Sequence, residues 1–288
     1  ITAETSRVQA SARLVAELDV FAGLATAAEH QGYVRPTLHA LDAPRVLQFK
    51  GSRHPVIERI DFGEPFVPND LELDGNSWRI MLITGPNMAG KSTYMRQIAL
   101  NVLMAQIGSF VPADVAELSL SDRIFTRVGA SDNLSLGQST FMLEMNEAAA
   151  ILHNATEHSL VILDEIGRGT STFDGISIAW AIVEHLYQLG ALTLCATHYH
   201  ELTKLAETLP RIRNYTVSVA EENDNVIFLH RIVPGMATRS YGVHVAQLAG
   251  LPRDIITRAW EVLSNLEQGS INASFSEQPS LAIPSASN

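Results

Sequence analysis

Apolar residues recur at two different spacings and divide the chain into predicted helices and strands. Residues 4–30 carry an apolar stripe at spacings of three, four and seven, which predicts a helix that ends at Gly32. From residue 78 onward, short runs that are apolar on both faces alternate with stretches of helical periodicity. Such alternation predicts an α/β fold with helices packed on a parallel or mixed sheet. The predicted buried strands are 80–83, 160–163 and 192–196.

The same periodicities predict the elements around these strands. One helix, residues 141–155, is predicted to bury the face formed by Met142, Met145, Ala149 and Leu152. The other predicted elements are helices at 93–107 and 176–189, strands at 46–50, 71–73 and 124–128, a loop at 131–138, and a hairpin of 212–219 and 226–232.

The C-terminal part of the chain predicts a helix–turn–helix and then a disordered tail. Helices at 243–248 and 253–266 are separated by Gly250-Leu251-Pro252. They contain few basic residues, so packing is favoured over insertion into a DNA groove. Residues 269–288 are rich in Ser, Ala, Pro and Asn, a composition typical of disorder.

Composition and charge narrow the class of protein. The 288 residues are 46% hydrophobic and 18% charged, which is ordinary for a globular chain with a sizeable core. The net charge of −11 argues against a stand-alone nucleic-acid binder, because phosphate contacts need clustered Lys and Arg. A single Cys excludes a disulfide framework and a Cys-based zinc site.

The sequence carries neither a membrane-spanning run nor a secretory signal. No apolar run approaches the length of a spanning helix, and the first ten residues lack a basic-then-apolar pattern. We therefore expect a cytoplasmic protein with no membrane contact. Because the chain does not start with Met, we also expect it to be a fragment of a longer protein.

One eight-residue segment matches the phosphate-binding loop G-x-x-x-x-G-K-[ST] in full, with a strand before it and a helix after it. Its backbone N–H groups and the dipole of the following helix would face a phosphate group. Lys91 would lie between the β- and γ-phosphates of a nucleotide, and the Ser92 hydroxyl would bind Mg²⁺. The matching residues are Gly85, Pro86, Asn87, Met88, Ala89, Gly90, Lys91 and Ser92.

Two acids follow the predicted strand 160–163 and would complete the nucleotide site. Ligands bind at the carboxyl ends of strands in open α/β sheets, which places Asp164 and Glu165 at the correct edge. Asp164 would hold Mg²⁺, and Glu165 would activate the attacking water as a general base.

The predicted strand 192–196 is followed at the same edge by His198, which would contact the γ-phosphate or orient the water. The alternative for His198 is metal binding together with His200 and Glu201, although this spacing is not the i, i+4 pair of a zinc helix. Within the strand, Cys195 is interpreted as a small buried residue rather than a nucleophile.

Four long segments go beyond a generic nucleotide site. They are TGPNMAGKSTYMRQIAL (84–100), STFMLEM (139–145), DEIGRGTSTFDG (164–175) and ATHYHEL (196–202). Together they closely resemble the ATPase domain of the MutS family of DNA mismatch-recognition proteins, a branch of the ABC-type ATPases. The resemblance runs from about residue 53 to residue 266. It implies a helical remnant of a lever at 1–36, an ABC-type ATPase domain at 37–240, a helix–turn–helix dimerisation element at 241–268 and a tail at 269–288.

The resemblance also implies a role for individual residues. It implies a homodimer in which two chains lie head to tail, with ATP or ADP and Mg²⁺ bound in the seam. The implied catalytic residues are Lys91, Glu165 and His198. The implied metal ligands are Ser92 and Asp164. The residues implied to contact the nucleotide are those of the phosphate loop, extended to Thr93, together with Phe66 and His230. Ser139 and Thr140 of the signature element would complete the site of the opposite subunit, and Arg168, Thr170 and Ser171 would lie in the loop at the dimer seam.

For an intact protein, the resemblance implies ATP hydrolysis coupled to a DNA clamp. Mismatched DNA would be bound by domains absent from this chain, and MutL would be the downstream partner. Phe275-Ser276-Glu277 has the sequence pattern of the family's mismatch wedge but lies in the predicted tail, so the match is interpreted as coincidence.

Ala89 stands where many relatives have Gly. Nucleotide binding is expected to persist, because Ala is tolerated at a negative φ.

Two alternative functions remain open. One is an ABC-type ATPase that acts in transport, recombination or chromosome maintenance. Residues 134–138 only half match the L-S-G-G-Q signature of the transport proteins. The other is a nucleotide-stabilised dimerisation module with little activity alone.

Overall fold

The computed structural model describes residues 4–61, 63–86, 89–129, 139–222, 225–237 and 241–273. These residues form two compact units, Ile1–Thr238 and Arg239–Asn288. The predicted loop at 131–138, the half-match at 134–138, loop residues Asn87 and Met88, and Phe275-Ser276-Glu277 lie outside the described residues.

The described residues form seven α-helices and ten strands. The helices are α1 (Thr5–Gln31), α2 (Lys91–Gln106), α3 (Thr140–Asn154), α4 (Thr172–Leu189), α5 (Leu205–Thr208), α6 (Gly242–Leu248) and α7 (Arg253–Ala273). The strands are β1 (Thr37–His39), β2 (Val46–Ser52), β3 (Asn69–Asp74), β4 (Ile80–Thr84), β5 (Val115–Ser119), β6 (Ile124–Arg127), β7 (Leu160–Asp164), β8 (Leu192–Ala196), β9 (Ile212–Glu222) and β10 (Asn225–Pro234).

A six-stranded mixed sheet in the order β10-β9-β4-β8-β7-β6 forms the centre of the first unit. All neighbours pair in parallel except β9 and β10, which form the predicted antiparallel hairpin. Every residue of β4, β7 and β8 is buried, as expected of strands covered on both faces. The predicted α/β fold with a mixed sheet is confirmed.

Alternate residues of β4 point into two separate hydrophobic clusters. Met81 and Ile83 pack with Tyr94 and Met95 of α2. Ile80 and Leu82 lie in the other cluster, to which α3 and α4 contribute their buried apolar residues. The sheet is therefore covered by α2 on one face and by α3 and α4 on the other.

A second sheet of four strands, in the order β1-β5-β2-β3, also packs against α2. Its buried residues include Phe49 and Leu71, and the Tyr94 hydroxyl of α2 donates to the carbonyl of Asp70 at 2.8 Å. Strands β1 and β5 are absent from the sequence predictions. They are three and five residues long and carry no clear alternation, so tertiary pairing defines them.

Several element boundaries and one buried face differ from the predictions. Helix α3 buries Glu144, Ala148 and Ile151, whereas Met142 is 53% exposed, so the predicted face was wrong by about one position of rotation. Helix α4 begins four residues before the predicted start, because the Ser171 hydroxyl oxygen accepts from the N–H of Asp174. Likewise, α7 continues to residue 273, beyond the predicted start of the disordered tail.

Helix α1 has the predicted extent and ends at Gly32, whose φ is +62°. Its apolar stripe faces solvent: Val8, Val15 and Leu18 are 65%, 65% and 67% exposed, and Ala28 is the buried residue of the helix. None of the helices among the described residues combines the length and apolar character that crossing a bilayer requires.

The second unit consists of the two predicted helices, α6 and α7. The His244 ring meets Trp260 edge-on with 4.6 Å between ring centroids, and Ile256 is buried. These contacts pack the two helices together within the unit.

Gly175 of α4 packs so closely against the backbone of Gly167 that a larger residue at this position is expected to destabilise the fold. A Cβ added at Gly175 would clash with the carbonyl oxygen of Gly167 and the hydroxyl of Tyr199. Gly175→Ala is expected to destabilise the fold by about 1–3 kcal/mol, since overpacking forces the backbone to shift. A Cβ at Gly23 in α1 meets nothing within 4 Å, so Gly23→Ala is the matched control and should maintain or raise stability. Urea denaturation of both variants checks the difference, and equal stabilities would contradict the packing described.

Candidate active site

The turn between β4 and α2 requires two glycines. Gly85 and Gly90 have φ values of +134° and +100°, in the region that residues with a Cβ avoid. The described non-glycine residues with positive φ are Glu165 and His230. Ala89 is not among them, so the residue that departs from the resemblance needs no glycine conformation. The free N–H groups of α2, which begins at Lys91, are directed at this turn.

Lys91 is a buried cation in the first turn of α2. Its side chain is 4% exposed, and Nζ donates to the carbonyl oxygens of Gly85 at 2.7 Å and Pro86 at 2.9 Å. Burial lowers the pKa of Lys91, while the negative charges of Glu165 and Asp164 act in the opposite direction. The ammonium group is thus held inside the loop by partners that an incoming anion can replace.

Glu165 directly follows β7 and approaches this ammonium group. Its Oε1 lies 4.0 Å from Lys91 Nζ, and its Oε2 lies 2.5 Å from Nη1 of Arg168. Its φ of +52° is unusual for a residue with a side chain, and its N–H donates to the carbonyl of Ala196 at 2.9 Å. Strained backbone of this kind is typical of functional positions.

Asp164, the last residue of β7, is 8% exposed. Burial raises its pKa; a hydrogen bond with Ser92 opposes the rise, the charge of Glu165 adds to it, and the charge of Lys91 opposes it. Its Oδ1 is buried and has no hydrogen-bond partner among the described residues. The site therefore contains a carboxylate oxygen with an unused capacity to bind a cation.

His198 lies exposed just beyond β8, with its ring 4.0 Å from the ring of Tyr199. Partial burial lowers its pKa; the charge of Glu165 opposes this, and the charges of Arg168 and Lys91 add to it. The imidazole is therefore within electrostatic range of the acid and the lysine.

Two alternative interpretations near His198 receive no support. No group of three or more His, Cys, Asp or Glu side chains is arranged for a metal within the described ranges, His200 and Glu201 included. Cys195 is buried, and burial raises the pKa of its thiol to about 12. A thiol of that pKa is a poor nucleophile, so the interpretation of Cys195 as a small buried residue is confirmed.

His230 contacts the phosphate loop from the hairpin. It lies at an irregularity of β10 with a φ of +54°, and its Nδ1 is 3.1 Å from the carbonyl oxygen of Ala89. Asn69 donates to the His230 carbonyl at 2.9 Å and accepts from the N–H of Ile232 at 2.7 Å. Phe66 is half-buried three residues before Asn69, in the segment that leads to this contact.

All but one of the residues predicted to act on a second subunit are exposed. Ser139 caps the N-terminus of α3, where its hydroxyl oxygen accepts from the N–H of Met142 at 3.2 Å, and Thr140 follows it on the surface. Arg168 and Ser171 are exposed and Thr170 is half-buried. Phe173, which the sequence interpretation did not single out, is 84% exposed beside them.

Three further residues connect to the site and were missed. The N–H of Gly167 donates to the Glu144 carboxylate, and the carbonyl of Gly167 accepts from the Tyr199 hydroxyl at 2.9 Å. All three belong to the segments quoted for the resemblance. Hydrogen bonds between residues distant in sequence produce no periodic pattern of hydrophobic residues, so these three could not be singled out from the sequence.

Comparison with known proteins identifies the family of this chain. The family model described as MutS domain V matches residues 81–267. The chain belongs to the MutS family. It is 58% identical over 269 residues to the DNA mismatch repair protein MutS of Symbiobacterium thermophilum, covering 93% of this chain and 30% of that protein. The MutS of Ruminiclostridium cellulolyticum is 57% identical over 277 residues, covering 95% of this chain and 31% of the relative.

The MutS of Desulforapulum autotrophicum is 56% identical over 271 residues, again covering 93% of this chain and 30% of the relative. The chain thus spans about 30% of the length of these MutS relatives. The resemblance to MutS is confirmed at the level of the family and of its domain V.

The raised pKa of Asp164 predicts that this carboxylate destabilises the nucleotide-free fold. A carboxyl group whose folded pKa exceeds its unfolded pKa lowers stability as pH rises through the interval between them. Asp164→Asn is therefore expected to stabilise the chain at pH 7 by about 0.5–2 kcal/mol, the usual size of a stabilising substitution. The gain should shrink as pH falls through the folded pKa of Asp164, because the wild-type carboxyl group then becomes neutral.

Asp122 provides a control of opposite sign. Desolvation is the largest single influence on Asp122 and raises its pKa, but hydrogen bonds from Thr156 and Ser159, both 2.8 Å, together with the N–H and the charge of Arg123, lower the pKa overall. Its contribution to stability is present above its unfolded pKa and is lost as pH falls through its folded pKa. Asp122→Asn should therefore destabilise the chain at pH 7. Thermal unfolding at several pH values without nucleotide measures both effects, and a destabilised Asp164→Asn chain would contradict the account of Asp164.

Proposed function

We propose that this chain is the ATP-binding, ATP-hydrolysing dimerisation domain of a MutS-type DNA mismatch repair protein. One observation carries the proposal: the Lys91 ammonium group and the carboxylate of Glu165 approach to 4.0 Å at the N-terminus of α2, where Asp164 is hydrogen-bonded to Ser92. A lysine for the phosphates, a hydroxyl and an aspartate for Mg²⁺ and a residue that orients the water are the recurring parts of a nucleoside triphosphatase site.

The triphosphate is expected to bind against the N-terminus of α2. There the free N–H groups and the positive end of the helix dipole favour an anion. Lys91 now donates to two carbonyl groups of its own loop, and phosphate oxygens would be stronger, charged acceptors. A bound triphosphate would also offset the burial that lowers the pKa of Lys91.

Ser92 and Asp164 fit the role of Mg²⁺ ligands. Both offer oxygen donors, which this cation prefers, and Oδ1 of Asp164 is buried without a partner among the described residues. When bound, Mg²⁺ supplies neutralisation of the negative charge on the β- and γ-phosphate oxygens.

Glu165 is assigned as the general base. Its carboxylate would accept a proton from a water molecule as the water oxygen bonds to the γ-phosphorus, while the bond to the ADP oxygen breaks and ADP leaves. Lys91 and Arg168 hold the two carboxylate oxygens from different sides. His198, whose pKa is lowered, would be neutral at pH 7 and able to orient the water or contact the γ-phosphate.

Exposed helix ends support a site composed of two subunits. Ser139 presents the N-terminus of α3 at the surface, and such a terminus binds anions. We assign Ser139 and Thr140 to the nucleotide of the opposite subunit in a head-to-tail homodimer. Arg168, Ser171 and the 84%-exposed Phe173 would lie in its seam, and residues 241–268 would add a second dimer contact.

The role in repair extends the proposal beyond this chain. The relatives are named DNA mismatch repair protein MutS, and the chain corresponds to about 30% of their length. We propose that the remaining domains of the intact protein bind mismatched DNA, and that nucleotide state controls their clamp and the recruitment of MutL. The names of the relatives favour this role over transport or chromosome maintenance.

Glu165→Gln is expected to bind ATP like the wild type but to lose hydrolysis by roughly 10²–10⁴-fold, because the amide cannot accept the proton. Lys91→Ala should weaken ATP binding itself. Glu117→Gln, which alters a carboxylate paired with His39 in the second sheet, is the control and should change neither. Phosphate release and the affinity for a fluorescent ATP analogue separate the effects. Normal turnover by Glu165→Gln would refute the assignment of the base.

Mixing two inactive chains tests whether the site is shared. In a heterodimer of Lys91→Ala and Ser139→Ala chains, one seam has both parts intact and the other has neither. An equal mixture should recover about a quarter of wild-type phosphate release, since half of the dimers are mixed and each has one working seam. No recovery, with heterodimer formation shown by native mass spectrometry, would instead mean that each subunit is self-sufficient.

A further inference from the structure

Glu144 is a buried acid whose carboxylate has two partners on different elements. It lies in the second turn of α3 with its side chain 7% exposed. One oxygen accepts from the N–H of Gly167, and the other lies 3.4 Å from Nη2 of Arg127 at the end of β6. The carboxylate therefore joins α3 both to the central sheet and to the loop that follows Glu165.

The backbone of Gly167 is held on both sides, through the peptide group before it and the one after it. Glu144 accepts from its N–H, and the Tyr199 hydroxyl donates to its carbonyl at 2.9 Å. Gly167 is two residues after Glu165 and directly precedes Arg168, whose guanidinium pairs with the Glu165 carboxylate. Holding the Gly167 backbone therefore restricts the short segment that joins the strained backbone of Glu165 to the cation that pairs with its carboxylate.

We propose that Glu144 is a positioning residue for hydrolysis, which aims the Glu165 carboxylate by holding the Gly167 N–H against helix α3. The inference rests on the proposed function, because Glu165 matters here as the base. Glu144 itself touches neither the lysine nor the acids of the site and acts through the loop.

A merely structural role for Glu144 explains less. Burying a carboxylate costs desolvation that its ion pair does not always repay, and apolar residues often stabilise such positions equally well. Arg127 already has a second partner, since its Nε lies 2.9 Å from the half-exposed carboxylate of Glu147. The contact that Glu144 alone provides on this helix is the one to Gly167.

The contact also links two parts of the proposed dimer. Helix α3 begins at Ser139, which we assign to the nucleotide of the opposite subunit, and it carries Glu144 five residues later.

Two conservative variants separate the contact to Gly167 from the ion pair. Glu144→Gln keeps the length and an acceptor oxygen but loses the charge that faces Arg127. Glu144→Asp keeps the charge but withdraws the acceptor by one methylene. Glu147→Gln is the matched control, because it removes a charge from the same arginine and does not contact the loop. Each is made in the full 288-residue chain.

The first measurement is hydrogen exchange of the 164–175 peptide without nucleotide. Exchange of the Gly167 amide should accelerate in Glu144→Asp and stay near wild type in Glu144→Gln and Glu147→Gln. In steady-state hydrolysis, Glu144→Asp should lose kcat by on the order of ten- to a hundredfold with KM little changed, since a small misplacement of a catalytic group has this effect. Glu144→Gln should retain most of kcat.

If Glu144→Gln loses more kcat than Glu144→Asp, the inference is overturned, and the role of Glu144 is only to pair with Arg127. If Glu144→Asp does not fold, Tyr199→Phe removes the other hydrogen bond to Gly167 and keeps the ring. It should give the same exchange and kinetic pattern, and wild-type behaviour of that chain would also overturn the inference. If the wild-type chain neither binds nor hydrolyses ATP, the proposed function is refuted. If the wild-type chain hydrolyses ATP and Glu144→Asp hydrolyses it equally fast, only this inference is refuted.

Discussion

A buried ammonium group in the neighbourhood of two successive carboxylates at the end of strand β7 is the constraint on which the site depends. Charges removed from water are tolerated only with partners, and the pKa values of Lys91 and Asp164 are displaced by burial in the direction that disfavours their charged forms. The parallel register that pairs β4 with β8 and β8 with β7 fixes how near these charges come. The sheet thus keeps the charged groups of Lys91 and Asp164 buried at a cost in free energy, and a bound ligand of suitable charge would reduce that cost.

Segments distant in sequence keep this arrangement rigid through main-chain contacts. The hairpin reaches the phosphate loop through His230 and Ala89, and Asn69 from the second sheet binds the backbone on both sides of His230. The loop after Glu165 is held between α3 and Tyr199. Positions with positive φ, Glu165 and His230 among them, lie at these contacts, where surrounding structure can sustain the strain.

The elements of the fold that could be predicted are those with a periodic pattern of hydrophobic residues, and the site residues that could be predicted are those that belong to a sequence motif. The buried strands β4, β7 and β8 appeared as apolar runs, and their tips located Asp164 and Glu165 because ligands bind at carboxyl edges. The face of α3 was predicted wrongly because a hydrophobic pattern cannot anticipate that Glu144 is buried by its hydrogen bond and ion pair. The φ of Glu165 has no sequence signature at all, since only tertiary contacts impose it.

Charge explains why the proposed association would depend on nucleotide. Two chains that each carry −11 repel one another, and a triphosphate placed between them adds further negative charge. The seam of the proposed dimer would therefore need local positive potential, which Lys91, Arg168 and the N-termini of α2 and α3 would supply. In the proposed dimer, the exposed N-terminus of α3 at Ser139 would bind the nucleotide of the partner. In that dimer, closure and occupancy of the site would be linked equilibria, and loss of the γ-phosphate would weaken both together.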